Sequence, residues 1–182
     1  RAPAGGPAVA ALVAPQRPPR AGLRGDTQVR NRGTIGGSLA NNDPAADYPA
    51  AALALGARFV TDRREIGADE FFQGMFTTAL EPDELVVALR FPVPEKAGYA
   101  KMRNPASRYV LTGVFVAKGP AGVRVVVNGA GPGFFRQAEM EAALAAGWSP
   151  EAVAGIRQPP DDLLSDIHGG AEYRAHLVTV MA

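Results

Sequence analysis

Two adjacent glycines sit inside the segment Thr34-Ile35-Gly36-Gly37-Ser38-Leu39-Ala40-Asn41-Asn42-Asp43-Pro44-Ala45-Ala46-Asp47. Such a pair opens backbone conformations closed to other residues and lets main-chain N–H groups converge on an anion such as a pyrophosphate. Thr34 and Ser38 add hydroxyls, while Asn41, Asn42, Asp43 and Asp47 add groups suited to sugar or ribityl hydroxyls. Taken alone, these residues describe either a phosphate-and-polyol site or a tight turn capped by polar side chains. They do not form a Walker A loop, because no Gly-Lys-Ser/Thr follows. The G-x-G-x-x-G spacing of a Rossmann fingerprint is also missing.

Composition narrows the chemistry. In 182 residues, 47% are hydrophobic and 20% charged, which suits one ordinary domain or two small ones with a packed core. A net charge of +1 leaves no footprint for nucleic acid. The absence of cysteine excludes disulfides, thiolate catalysis and iron–sulfur ligation by this chain. His168 and His176 are too few for a histidine-rich metal site, so no metal ligand is expected. No apolar run approaches the ~20 residues of a membrane helix. The expected location is cytoplasmic.

Three regions separate along the chain. Residues 1–24 carry five prolines and no acid and read as an irregular segment, either disordered or non-native. Residues 25–93 read as a small α+β unit. It holds the glycine turn, an alanine-rich helix from Asp47 to Gly56, and a strand from Ala57 to Thr61. A short amphipathic helix carrying Phe71, Phe72 and Met75 on one face follows, then a strand from Leu85 to Phe91. Residues 94–98 read as a linker. Residues 99–182 form a second unit. Strands Tyr109–Lys118 and Gly122–Asn128 are joined at Pro120-Ala121 as an antiparallel hairpin. Helices are expected over Arg136–Ala146, after Ser149-Pro150-Glu151, and over Ala171–Ala182.

The longer string Gln28-Val-Arg-Asn-Arg-Gly-Thr-Ile-Gly-Gly-Ser-Leu-Ala-Asn-Asn-Asp-Pro-Ala-Ala-Asp-Tyr-Pro-Ala closely resembles the second flavin-binding motif of the FAD-binding (medium) subunits of molybdenum hydroxylases, the carbon monoxide and xanthine dehydrogenase type. The resemblance continues through Phe71 to Leu85, through Lys101-Met-Arg-Asn-Pro-Ala-Ser-Arg-Tyr, and through Asp166-Ile-His-Gly-Gly-Ala-Glu-Tyr-Arg. It covers residues 25 to 182. The implied fold is α+β: the second half of a vanillyl-alcohol-oxidase (PCMH)-type FAD-binding domain at 25–93, then a small C-terminal domain of antiparallel sheet packed on helices at 99–182.

The resemblance implies FAD as cofactor, held by Thr34, Ile35, Gly36, Gly37, Ser38, Asn41, Asp43, Asp47, Val86 and Lys101. Thr34 and the Gly36–Ser38 backbone would lie against the pyrophosphate, Asp47 would accept from cofactor hydroxyls, and Val86 and Lys101 would approach the flavin end. The chain would then be an oxidoreductase subunit without catalytic side chains of its own. It would take electrons from the iron–sulfur clusters of a small 2Fe–2S subunit, beside a large molybdopterin subunit, and pass them to an external acceptor.

The family's first flavin motif, a glycine-rich loop expected well before Gln28, has no convincing counterpart. Ala4-Gly5-Gly6-Pro7 only echoes it, and Arg20–Arg24 replaces the expected apolar lead-in. The sequence therefore reads as N-terminally truncated. This leaves a second hypothesis open: a fragment that keeps the subunit-docking surface and holds no flavin. A third, a stand-alone flavin reductase, lacks a nicotinamide-binding pattern.

Overall fold

The computed structural model describes residues 31–182. The expectations for residues 1–24, the echo at Ala4–Pro7 and the start of the long motif at Gln28–Arg30 lie outside the described residues.

Within the described residues, after the helical Asn31-Arg32, come helices α1 (Ile35–Asn41) and α2 (Asp47–Ala54). A small antiparallel sheet follows, built from β1 (Arg58–Thr61), β2 (Glu65–Gly67) and β5 (Val86–Arg90) in the order β2-β1-β5. Between β2 and β5 lie α3 (Ala68–Phe71) and the hairpin of β3 (Phe72–Gly74) with β4 (Thr77–Thr78). The larger sheet is antiparallel in the order β6-β7-β8-β9, from β6 (Lys96–Arg103), β7 (Val110–Gly119), β8 (Gly122–Asn128) and β9 (Phe135–Arg136). Helices α4 (Ala138–Ala146), α5 (Glu151–Ala154) and α6 (Ala171–Met181) complete the fold. The α+β class inferred from sequence is the class observed. Among the described residues no helix is long and apolar enough to cross a membrane, and no histidine or acidic cluster is suited to a metal.

The centre of the large sheet explains why β7 and β8 read as almost unbroken apolar runs. Alternate residues of a strand face opposite sides. Phe115, Ala117 and Val126 face α2 and join a cluster with Leu39, Phe59, Ile66 and Phe71. Val114, Val125 and Val127 face the other way, against Met140 and Leu144 of α4, Val153 of α5 and Val178 of α6. With helices on both faces, neither set can be polar. The hairpin turn is Pro120-Ala121, closed by the Gly119–Gly122 pair, with Gly122 at φ +83°.

Helix α2 reaches the sheet because its side chains are small: Ala50, Ala51, Ala52 and Ala54 are all buried. Its end is a Schellman motif, in which the Ala57 N–H donates to Ala52 O and the Gly56 N–H to Leu53 O, with Gly56 at φ +63°. Arg124 of β8 donates to Leu53 O at 2.8 Å and pairs bidentately with Asp69. It thereby fastens the helix end to the strand and to α3.

Three expectations change. Gly36 and Gly37 stand in the first turn of α1 and not in a free turn. Glycine disfavours helix by about 1 kcal/mol, but the Thr34 cap and the fully buried Leu39 override that preference. The helix predicted through Met75 ends at Phe71, and Phe72 is extended at φ −90°, ψ 111°. Adjacent helical side chains diverge by about 100°, whereas the switch lets both rings reach Phe59. Phe71 stacks on it with centroids 3.7 Å apart, and Phe72 meets it edge-on at 5.6 Å. Finally, β6 begins at Lys96, so residues 96–98, read as a linker, are strand paired with β7.

One buried carboxylate organises the turn after β1. Glu84 accepts from Thr61 Oγ1, from Arg64 Nε and Nη2, and from the Glu81 N–H. The hydrogen bond from Arg64, followed by those from Glu81 and Thr61, lowers its pKa to about 2. A carboxyl that titrates lower when folded stabilises the protein above its unfolded value of 4.5, and that contribution is lost as pH falls toward 2. Thermal unfolding midpoints measured across this range are expected to fall less steeply for Glu84→Gln than for the wild type. The variant should also start from a lower midpoint at neutral pH.

Candidate cofactor site

The candidate residues lie in two places joined through α2: the start of α1, which packs on α2 and β5, and the Asp47–Lys101 pair that links α2 to β6. Thr34 is the N-cap of α1, with extended φ and ψ, and its Oγ1 accepts from the Gly37 N–H at 3.0 Å. A Cβ on Gly37 would stand at 3.0 Å from that oxygen, and one on Gly36 would touch the Val86 carbonyl oxygen at 3.8 Å. The contact at Gly36 would be an ordinary one, whereas Gly37 lets the helix start close tightly onto its own cap. The N–H groups of Ile35 and Gly36 have no acceptor within the helix, as for any first turn. They stand at the partial positive end of the helix dipole.

The second half of the site is an ion pair. Asp47 opens α2, and its carboxylate accepts from Lys101 Nζ at 2.7 Å on both oxygens. The Tyr99 hydroxyl donates to Asp47 Oδ1 at 2.6 Å. Both charges are largely withdrawn from water, with side chains 13% exposed for Asp47 and 5% for Lys101. Asp47 also sits in the first turn of α2, where a negative charge is favoured.

The sheet register explains how residues 54 apart in sequence meet. Lys101 on β6 pairs with Gly113 on β7, which pairs with Asn128 on β8. Tyr99, two residues before Lys101, projects from the same face and packs against Phe115 with ring centroids 5.7 Å apart. Gly113 thus leaves a hollow in the middle of the row. A Cβ there would overlap the Asn128 side-chain oxygen and approach the Tyr99 hydroxyl to 2.7 Å. Asn128 fills the hollow from the far side, and its Nδ2 donates to Ala46 O at 2.9 Å and to the Tyr99 hydroxyl at 3.1 Å. Burial, followed by the nearby Asp47 charge, pushes the Tyr99 phenol far above its ordinary range, so it remains a neutral donor.

The positions singled out from sequence divide into three groups. Thr34, Ile35, Gly36, Gly37 and Ser38 form the cap and first turn of α1, with Val86 beside Gly36. Asp47 and Lys101 are joined directly. Asn41 is exposed at the far end of α1. Asp43 is occupied locally, its Oδ1 accepting from the Ala45 N–H at 2.9 Å. The polar residue that braces this loop is Asn42, at φ +48°, whose Nδ2 donates to Gly74 O and Thr77 O. Tyr99, Asn128 and Gly113 were not foreseen. A period-two reading of residues 96–103 would have put Tyr99 and Lys101 on one face. The glycine interrupting the apolar run of β7 and the asparagine closing that of β8 were the other available signals.

Each group suits one part of a dinucleotide: the helix start with its hydroxyl neighbours suits a phosphate bridge, and the buried carboxylate, with acceptor capacity left, suits a polyol hydroxyl. Residues 8–94 match the family described as the FAD binding domain in molybdopterin dehydrogenase, a span that begins ahead of Gly25. The chain is 37% identical to the nicotine 6-hydroxylase medium subunit of Paenarthrobacter nicotinovorans, over 83% of this chain and 58% of that one. It is 31% identical to the carbon monoxide dehydrogenase medium chain of Hydrogenophaga pseudoflava, over 87% of this chain and 61% of that one. A solved structure of the Hydrogenophaga pseudoflava carbon monoxide dehydrogenase superimposes with a TM-score of 0.71 at 31% identity, covering 88% of this chain and 61% of that one. Quinoline 2-oxidoreductase from Pseudomonas putida 86 shares the fold, with a TM-score of 0.74 at 24% identity over 87% of this chain and 61% of that one. The chain thus spans about three-fifths of the length of the relatives it matches.

The buried pair yields a direct test. Removing one partner leaves the other charge uncompensated, which typically costs ~3 kcal/mol or more. Lys101→Met is expected to lose about that much in urea unfolding. Adding Asp47→Asn should recover part of the loss.

Proposed function

Because the chain belongs to the FAD-binding medium-subunit family of the molybdenum hydroxylases, we propose that it holds FAD and relays electrons within a multi-subunit complex. In this reading the electrons arrive from the iron–sulfur clusters of a small subunit, which obtains them from a large molybdopterin subunit, and leave to an external acceptor. The observation that carries the reading is the match of residues 8–94 to the FAD binding domain family, and the groups available to hold the cofactor are the Thr34–Ser38 helix start beside Val86 and the buried Asp47–Lys101 pair.

The parts would act as follows. The N–H groups of Ile35 and Gly36, with the dipole of α1 behind them, suit the pyrophosphate, and Thr34 and Ser38 add hydroxyl donors. Gly36 and Gly37 allow the phosphate close approach to the backbone. Asp47 accepts from a ribose or ribityl hydroxyl, while Lys101 balances its charge. Val86 supplies apolar contact toward the flavin end. When bound, FAD supplies the redox chemistry, and this chain contributes binding, orientation and exclusion of water.

The visible spectrum of the purified protein tests the reading. Stoichiometric bound flavin, or flavin regained on reconstitution with FAD, is the expected result. A colourless protein that takes up no FAD, alone or with its partner subunits, overturns it.

A further inference from the structure

Asp47 accepts hydrogen bonds unevenly. Oδ1 takes two, from Tyr99 and Lys101, and Oδ2 takes one, from Lys101. An ionised carboxylate has about four lone-pair sites, so the greater free capacity lies on Oδ2. Oδ1 is fixed from beneath by a relay that reaches across the sheet. Asn128 holds the Tyr99 oxygen at 3.1 Å and, through its second N–H, the Ala46 carbonyl immediately before α2. The relay therefore grips both the carboxylate and the backbone that carries it. Gly113 is what admits it, because a side chain there would displace the Tyr99 hydroxyl and the Asn128 amide together.

Lys101 alone would not fix the carboxylate's rotation. An ammonium is a compact point charge that pairs with a carboxylate in many orientations. A single phenolic O–H aimed at one oxygen is directional. Tyr99 is mostly buried, and its phenol stays protonated because of that burial and the adjacent charge, so the donor is constant through the physiological range. Hydrogen bonds to charged acceptors are also about twice as strong as neutral ones.

We propose that Tyr99 and Asn128 are positioning residues that lock the rotation of the Asp47 carboxylate and present Oδ2 to a hydroxyl of the bound cofactor's sugar or ribityl chain. Neither residue touches the cofactor; both act through Asp47. The proposal rests on the FAD-binding reading above.

The test is a double-mutant cycle on the whole protein that carries this chain. The dissociation constant for FAD is measured by titrating the flavin-free protein for wild type, Tyr99→Phe, Asp47→Asn and the double variant. Tyr99→Phe is expected to weaken FAD binding about tenfold or more, the scale of one hydrogen bond to a charged group. In the Asp47→Asn background the same change should add no further loss. Equal losses in both backgrounds would mean that Tyr99 merely supports the fold, and would overturn the proposal. So would an unchanged dissociation constant for Tyr99→Phe. Thermal midpoints of the flavin-free proteins identify a variant that fails to fold, and in that event Asn128→Ser takes the place of Tyr99→Phe in the same cycle. A wild-type protein that binds no FAD would instead defeat the underlying reading, a result distinct from FAD binding that ignores Tyr99.

Discussion

A carboxylate and an ammonium largely withdrawn from water must find each other, or the fold cannot hold them. That requirement, met at Asp47 and Lys101, ties together the two halves of the chain. Asp47 opens the helix that covers one face of the large sheet, and Lys101 sits on the edge strand of that sheet. The same helix is anchored at its other end by Arg124, which reaches from β8 to Leu53 O. One helix is therefore held at both ends by charged side chains from the sheet, and its alanines fill the space between. Position along the helix axis is fixed by charge, and distance from the sheet by side-chain size.

The candidate cofactor site inherits its geometry from this arrangement. Helix α1 packs against α2 and β5 and is capped by its own Thr34 and Asn42. Its open end is therefore placed by elements that are themselves anchored. Asn42 has a further role: its amide bridges Gly74 and Thr77, so the end of α1 also shapes the β3–β4 hairpin. The opposite side of the sheet has a comparable fastening in Arg174, a fully buried guanidinium on α6 that donates to Leu111 O, Gly129 O and Asp166. Here too a cation in the core is satisfied by backbone carbonyls and a carboxylate.

The sequence made several of these features legible. Strands β7 and β8 and their turn follow from β-branched runs separated by Pro-Ala-Gly, and helix α2 from its alanines and terminal glycine. The glycine motif marked the segment that forms the start of α1, and Asp47 and Lys101 were both singled out. Their direct contact was not visible, because pairing depends on the β6–β7 register, and β6 begins inside residues taken for a linker. Short-range signals also misled where tertiary contacts compete with them. Gly36 and Gly37 argue against a helix, but Leu39 needs burial. Phe71, Phe72 and Met75 suggest one helical face, but stacking on Phe59 draws the chain into an extended turn. Tyr99 and Asn128 were missed because each is an ordinary residue in isolation. They become informative only once Gly113 is known to lie between them.

The alternation along β7 and β8 has a consequence for how this sheet tolerates change. Each strand sends one set of side chains toward α2 and the other toward α4 and α6. A slip of one residue in the pairing of β6 with β7 would turn Lys101 away from Asp47 and drive Met102 into the polar hollow at Gly113. The existing irregularity in that ladder lies between Met102 and Arg103, beyond the lysine. The pairing that holds Lys101 opposite Gly113 is thus regular from Lys96 through Met102. The row of Lys101, Gly113 and Asn128 is the mark from which the register of the sheet is read.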